Sequence, residues 1–133
     1  MKPSISIILK KDLPTGLIGN VCACLATGIT HINHEIIGED FEAQGVTYRG
    51  ITKVPVVVVT ENVLGIDAVL KRCIKRGIDY VLYNKRAVKE RSYLGYMKAV
   101  KQIPPEDREI LGIGIIGNQE TVRKIIGDLP LLK

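Results

Sequence analysis

Short aliphatic runs alternate with amphipathic segments along the chain, and this alternation constrains the fold more than any other feature. Aliphatic runs of four to eight residues favour buried strands, whereas apolar residues spaced three or four apart favour helices. Strict alternation of the two predicts a three-layer α/β domain with a mostly parallel core sheet. The predicted strands are residues 4–9, 54–59, 78–83 and 110–116, and the predicted helices are residues 15–27, 62–76, 85–101 and 118–126.

Three local patterns sharpen this prediction. Four consecutive valines at 56–59 are typical of a central parallel strand that is buried on both faces, with Pro55 at its start. Gly112 and Gly114 fall on one face of the last strand, which predicts close packing of a helix or another backbone there. A small hairpin is expected between residues 35–38 and 46–49, across the acidic loop 39–44.

Length and composition place the chain among small globular proteins. The 133 residues fit a single domain spanning 1–133, and 46% apolar residues are enough for a core at this size. No apolar run reaches the roughly 18 residues of a membrane span, and the start has no cleavage site, so we expect a cytoplasmic protein without a membrane partner. An odd number of cysteines in apolar segments predicts buried thiols and no disulfide framework; they are Cys22, Cys24 and Cys73.

Positive charge is concentrated in one part of the chain. The net charge is +5, yet residues 71–101 alone hold ten cations against two acids, so the remainder is net acidic. Such a field attracts small anions or RNA. The alternative interpretation is a solvated helix face with Lys and Arg placed near helix C-termini.

Polar residues follow three of the predicted strands and mark the expected site. Ligands of open α/β sheets bind beyond the carboxyl ends of the parallel strands, which here lead into residues 10–20, 60–62 and 84–86. A helix N-terminus beside several cations suits a phosphate or carboxylate. Asp12 and Lys10 are the candidate catalytic residues, although Asp12 is equally suited to a simple turn. The predicted ligand-binding residues are Lys10, Asp12, Thr15, Gly16, Asn20, Asn84, Lys85 and Arg86.

Other motifs point away from cofactor and metal chemistry. The first helix lacks a phosphate-binding loop, and the Gly-x-Gly-x-x-Gly spacing at 112–117 starts inside a predicted strand, so no cofactor is expected. His31 and His34 have His-x-x-His spacing and, with Glu35 or Glu39, form a candidate metal site. Their place just past a helix end is typical of polar surface histidines, and the prediction is no metal.

Both ends of the chain resemble the type-two peptidyl-tRNA hydrolases. The opening Ile7-Ile8-Leu9-Lys10-Lys11-Asp12-Leu13, with Gly16 and a helix bearing Ala and Cys, is similar to their start. The segment 111–117, a helix and 127–132 resemble their ending. The resemblance implies an α/β/α domain with a mixed four-stranded sheet, its last strand antiparallel to the others, and a homodimer.

The same resemblance implies lost hydrolase chemistry. That family's first helix carries a Lys, a Gln and a His at the positions of Gly19, Ala23 and Ala26 here. Its Asp-Ala-Gly-x-Thr loop has no counterpart, because 84–86 and an added helix take that place. Asp12 and Gly16 match the family's site, and Lys10 replaces an Arg. Ester hydrolysis without the acid–base groups is hard to support.

A bacterial family of unknown function, number two thousand in its series, is similar over more of the chain. The similar segments are 20–28, 35–38 and Pro55 with the strand after it, and the family also has an extra helix before the last strand. Residues 92–96 depart from the family's His-Asp-Glu-Asn-type stretch. We therefore expect a peptidyl-tRNA-hydrolase-like domain that binds a small polar or anionic ligand without hydrolase activity. The alternatives are an active hydrolase with a rearranged site, using Asp12 with Lys10 or Lys85, and an RNA-binding module.

Overall fold

The computed structural model describes residues 2–133 as an α/β domain with two sheets and four α-helices. The strands are β1 (Pro3–Leu9), β2 (Phe41–Ala43), β3 (Val46–Tyr48), β4 (Val56–Thr60), β5 (Asp79–Asn84) and β6 (Ile110–Asn118). The α-helices are α1 (Thr15–Ile32), α2 (Ile66–Arg76), α3 (Tyr93–Gln102) and α4 (Gln119–Ile126). Short 3-10 helices cover His34–Ile36, Lys85–Val88 and Pro105–Asp107.

The main sheet is mixed and has the order β4-β1-β6-β5. β1 is parallel to β4, whereas β6 runs antiparallel to both of its neighbours, β1 and β5. Three strands therefore share one direction, but β6 lies between two of them, and β1–β4 is the one parallel pair of neighbours in this sheet. The carboxyl ends of β1, β4 and β5 consequently meet the start of β6 at a common edge.

The valine strand is at the edge of the sheet and not at its centre, which corrects the sequence-based prediction. Val56 and Val57 are 38% and 37% exposed, while Val59 is buried. The chain's last residues cover part of this edge, because Leu132 N donates to Val58 O and Thr60 N donates to Pro130 O. Pro55 directly precedes the strand, as predicted. β1 and β6 are the central strands.

Side chains of β1 alternate between two apolar clusters. Ile7 and Leu9 pack with Val21 and Leu25 of α1. Ile8 packs in the other cluster, with residues of α2 and α4 such as Val69 and Ile125. The sheet therefore buries apolar side chains against α1 on one side and against α2 and α4 on the other.

The paired glycines of β6 lie directly beneath α1, which confirms the predicted close packing. A Cβ atom at Gly112 would be 2.6 Å from Val21 Cγ1, and one at Gly114 would be 2.9 Å from Ile29 Cδ1. The first helix was predicted to end at residue 27, and a similar close contact at Gly28 explains why it continues. A Cβ atom there would be 2.7 Å from Val81 Cγ1, so Gly28 lets α1 pass close to β5 and continue to Ile32.

The hairpin has a different first strand from the predicted one. β2 pairs with β3 through Phe41–Tyr48, Glu42–Thr47 and Ala43–Val46. Glu35 and Ile36 instead belong to a 3-10 helix, started by Asn33 Oδ1, which accepts from Glu35 N at 3.0 Å. Ile37 forms an isolated β-bridge with Thr52. The side-chain cap therefore determines the local structure here, although the aliphatic pattern of this short segment favours a strand.

The predicted helix at 85–101 is divided into two. Asn84 Oδ1 accepts from Arg86 N at 2.9 Å, as expected of a cap, but only a 3-10 turn follows. Ser92 then starts α3 by accepting from Gly95 N at 3.0 Å. α2 begins at Ile66, later than predicted, because Gly65 has a φ of 90°. Asn118 caps α4, accepting from Thr121 N at 2.8 Å.

α1 is long and apolar, whereas the sequence analysis expected no apolar run long enough for a membrane span. It has 18 residues and is apolar enough to cross a membrane by length and composition alone. Core helices of soluble proteins have the same properties, and α1 buries Val21, Leu25 and Ile29 against the sheet. α1 therefore packs on the main sheet of the α/β domain. Of the cysteines, only Cys73 is buried; Cys22 is half-buried and Cys24 is exposed, which corrects their prediction.

Candidate functional site

Lys10 and Lys85 come together at the common strand edge, around a carboxylate that sequence reasoning missed. Each ammonium nitrogen lies 3.5 Å from Oε2 of Glu109. Backbone bonds fix the arrangement: Lys10 N donates to Leu111 O and Lys85 N donates to Glu109 O. Desolvation favours a raised pKa for Glu109, but the two lysines together hold the pKa below its ordinary value. An antiparallel last strand places its first residues at this edge, which is the signal that could have found Glu109.

Asn20 is joined to the edge strand by a hydrogen bond. The hydroxyl of Tyr83 donates to Asn20 Oδ1 at 2.6 Å, and Cys24 Sγ lies 4.0 Å from the same oxygen. Tyr83 is buried, and this burial raises the pKa of its hydroxyl. Asn20 is therefore held by β5 at the surface of α1.

The other predicted residues of this segment, Asp12, Thr15 and Gly16, are exposed. Asp12 adopts a left-handed φ of 62°, which fits its prediction as a turn residue. Thr15 and Gly16 form the exposed first turn of α1, which has no side-chain cap. Lys11 N donates to Glu61 Oε2 at 2.7 Å, so the loop is tied to the end of β4. These residues do not line the two cavities described below.

Asn84 and Arg86 have separate environments. Asn84 is buried, and its side-chain oxygen is used by Arg86 N. Arg86 has a half-buried side chain with Nη2 3.8 Å from Glu90 Oε1. Within residues 2–133, its buried Nε has no hydrogen-bond partner. It borders a cavity of about 560 Å³, the Arg86 cavity, formed by Arg86, Glu90, Gly95, Lys98, Ala99, Gln102 and Ile103.

A second cavity, of about 670 Å³, lies between α1, β5 and residues 87–96. We refer to it as the Tyr96 cavity. The rings of Tyr93 and Tyr96 are 5.8 Å apart at 50°, and burial raises the pKa of Tyr96. Sequence reasoning missed this cavity, because it depends on how residues 87–96 lie relative to α1 and β5. Its lining residues are Cys24, Thr27, Gly28, His31, Val81, Leu82, Tyr83, Ala87, Glu90, Arg91, Ser92, Tyr93 and Tyr96.

The histidine pair and the basic stretch do not form single sites. The rings of His31 and His34 are 6.5 Å apart at 82°, and both residues are exposed. Among residues 2–133, no group of three or more His, Cys, Asp or Glu side chains could hold a metal ion. The cations of residues 71–101 are distributed over α2, the 3-10 helix Lys85–Val88, α3 and the turn between the last two. Arg72 pairs with Asp128 at 2.7 Å, whereas Arg86 and Lys98 line the Arg86 cavity.

Comparison with known proteins identifies a family and a structural relative. The family model described as a protein of unknown function, DUF2000, matches residues 4–133. The solved structure of a protein of unknown function from Agrobacterium tumefaciens is similar, with a TM-score of 0.92 and 24% sequence identity. The alignment covers 100% of this chain and 99% of the other, and at this identity it shows a shared fold. No curated protein matches the chain.

Proposed function

Because this chain belongs to the DUF2000 family of proteins of unknown function, its function has to be inferred from its own residues, and we propose that it is a binding domain for a small polar molecule. This membership confirms the family expected from the sequence. The single observation that carries the proposal is the Tyr96 cavity. Its volume of about 670 Å³ falls within the roughly 300–1,000 Å³ typical of ligand cavities.

The lining of the cavity suits a planar ligand with polar ends. Val81, Leu82 and Ala87 supply apolar surface, and Tyr93 and Tyr96 supply aromatic rings. Aromatic side chains favour offset or edge contacts with a flat ring. Hydrogen-bonding groups lie on both sides of this surface. Cys24, Thr27 and His31 come from α1, and Glu90, Arg91 and Ser92 come from the opposite segment.

One of the predicted site residues, Asn20, supports this cavity at one wall. Tyr83 lines the cavity and donates its hydroxyl hydrogen bond to Asn20. That bond joins the wall to α1, the helix that follows the loop of Lys10 and Asp12. In this proposal Asn20 is a positioning residue, and the ligand lies nearer to Tyr96 than to the first loop.

We also propose that the domain lacks peptidyl-tRNA hydrolase activity. Gly19, Ala23 and Ala26 are exposed on α1, where the resembling hydrolases carry Lys, Gln and His. None of these three side chains can transfer a proton, so the acid–base step has no group there. The rival hydrolase would use Asp12 with Lys10 or Lys85, but both lysines are occupied by Glu109. Turnover of peptidyl-tRNA that disappears in Asp12→Asn would favour the rival.

We also propose a layer arrangement, an oligomeric state and a cellular location for this domain. A three-layer arrangement like that of type-two peptidyl-tRNA hydrolases is supported by helices packed on both sides of the sheet and by the antiparallel β6. The resemblance also implies a homodimer, and the sequence predicts a cytoplasmic protein. Light scattering of the purified chain tests the dimer, and a mass of one chain would contradict it.

Cavity binding is testable with a planar probe and a pair of matched variants. We expect 4-hydroxybenzamide to shift backbone amide NMR signals of residues around Thr27, Val81 and Tyr96. Thr27→Trp should fill the cavity and remove the shifts. Ala23→Trp is the control, because Ala23 is exposed on the same helix but does not line the cavity. Shifts that persist in Thr27→Trp, or that map elsewhere, would contradict the proposal.

A further inference from the structure

We propose that the Arg86 cavity is a second, separate site that binds a small oxyanion such as a phosphate group. The cavity has a volume of about 560 Å³ and lies between the Lys85–Val88 helix and α3. It is lined by side chains of Arg86, Glu90, Lys98 and Gln102, among others. Three of these four are charged, so the cavity differs in character from the largely apolar Tyr96 cavity.

The unsatisfied nitrogen of Arg86 is the first argument. Its Nε is buried and has no partner among residues 2–133. Its nearest acidic contact, from Nη2 to Glu90 Oε1, is 3.8 Å long and beyond hydrogen-bond distance. A buried donor without a partner is costly, and native proteins rarely leave one unexplained. A rotation of the Arg86 side chain that turns Nε toward an oxyanion in the cavity would remove that cost.

The balance of charge is the second argument. Arg86 and Lys98 contribute two positive charges to the cavity, against one negative charge from Glu90. Gln102 adds an amide that can donate a hydrogen bond. A guanidinium presents two parallel N–H groups that match two oxygens of a phosphate or carboxylate, and a lysine supplies a point charge beside it. The excess of one positive charge suits a ligand with a negative group.

The position of α3 separates the Arg86 cavity from the Tyr96 cavity. Gly95, Lys98 and Gln102 face the Arg86 cavity, whereas Tyr93 and Tyr96 face the other cavity. Glu90 borders both. The anion site therefore does not depend on the proposed binding of a polar molecule, and either proposal can fail without the other.

Titration of the full chain with inorganic phosphate tests the proposal in the wild-type protein. We expect the Nε–H signal of Arg86 to shift as phosphate is added, together with amides of residues 95–102. Glycerol phosphate and acetate form two further arms, which distinguish free phosphate, a phosphate ester and a carboxylate as the ligand. An unshifted Arg86 signal in all three arms would overturn the site.

Two variants and a control give the expected sizes of the effect. Arg86→Gln should weaken phosphate binding about tenfold or more, because it removes a charge-assisted pair of hydrogen bonds. Lys98→Met should weaken it several-fold. Lys101→Met is the control, since Lys101 is an exposed cation of the same helix that does not line the cavity. An equal loss in Lys101→Met would show general attraction to a basic surface and would overturn the site, as would unchanged binding in Arg86→Gln.

Discussion

The hydroxyl of Tyr83 donates a 2.6 Å hydrogen bond to Oδ1 of Asn20 and so joins β5 to α1 across the end of the sheet. β5 is the edge strand on this side. Tyr83 is buried, while Asn20 is exposed. One polar bond therefore connects Asn20, a predicted site residue on α1, with the wall of the Tyr96 cavity.

Removing this bond should destabilise the protein modestly. Tyr83→Phe keeps the ring and deletes only the donor, so we expect the free energy of unfolding to fall by about 0.5–1.5 kcal/mol. Urea unfolding followed by circular dichroism measures the change. In the double variant with Asn20→Ala, the two losses should not add, because both remove the same bond. Fully additive losses would show that the two side chains do not interact in solution.

Overpacking beneath α1 should have a larger effect. In Gly112→Ala the new methyl group would lie 2.6 Å from Val21 Cγ1 and 3.0 Å from Leu25 Cδ1. Such crowding in a packed core costs about 1–3 kcal/mol. The matched control is Gly19→Ala on the exposed side of α1, where a Cβ atom has no neighbour within 4 Å. We expect that control to be stabilised by about 0.5–1 kcal/mol. A stable Gly112→Ala protein would contradict the close packing of α1 on β6.

The glycines of β6 also show what the sequence could predict. Their spacing on one strand face predicted that another element packs closely there, but it did not identify that element as α1. The alternation of elements predicted most strands and helices, because buried aliphatic runs and amphipathic stripes are local signals. The edge position of β4 was not predictable in this way. Its four valines carry no information about which strands lie beside them, and the covering chain segment at Leu132 comes from 70 residues or so later.

The candidate site was only partly predictable for a similar reason. The rule that ligands bind beyond strand ends directed attention to one edge of the sheet, and Lys10 and Lys85 do lie together there. It could not find Glu109, which reaches that edge only because β6 runs antiparallel. The Tyr96 and Arg86 cavities depend on a break in the helix between Val88 and Tyr93, which a continuous helical pattern concealed.

The three cysteines should differ in reactivity. Burial raises the pKa of Cys73 to about 11 and also raises the pKa of Cys22, whereas Cys24 is exposed. At pH 8 only about one in a thousand Cys73 side chains is the reactive thiolate. Iodoacetamide followed by peptide mass spectrometry should therefore modify Cys24 first, Cys22 more slowly and Cys73 last. Urea-unfolded protein is the control, in which all three should react at similar rates. Early modification of Cys73 in the folded protein would contradict its burial.

The pair of Arg72 and Asp128 should make stability depend on acidity. Arg72 donates to both carboxylate oxygens of Asp128, at 2.7 and 2.9 Å, and this hydrogen bonding holds the pKa of Asp128 below its ordinary value. A lowered pKa stabilises the fold above the unfolded value of roughly 4, and this contribution is lost as the pH falls through the lower folded value.

Asp128→Asn isolates this contribution. Both side chains are partly exposed, so we expect the variant to lose up to about 1 kcal/mol at pH 7. The difference from wild type should shrink as the pH is lowered from 4 to 2, because the wild-type carboxylate is then protonated as well. Urea unfolding at each pH measures this difference in the free energy of unfolding. Asp79→Asn is the control, at an exposed position. A difference that stays constant from pH 7 to pH 2 would show that Asp128 acts through its neutral contacts, such as the bond from Asn62 Nδ2 at 2.9 Å, and not through its charge.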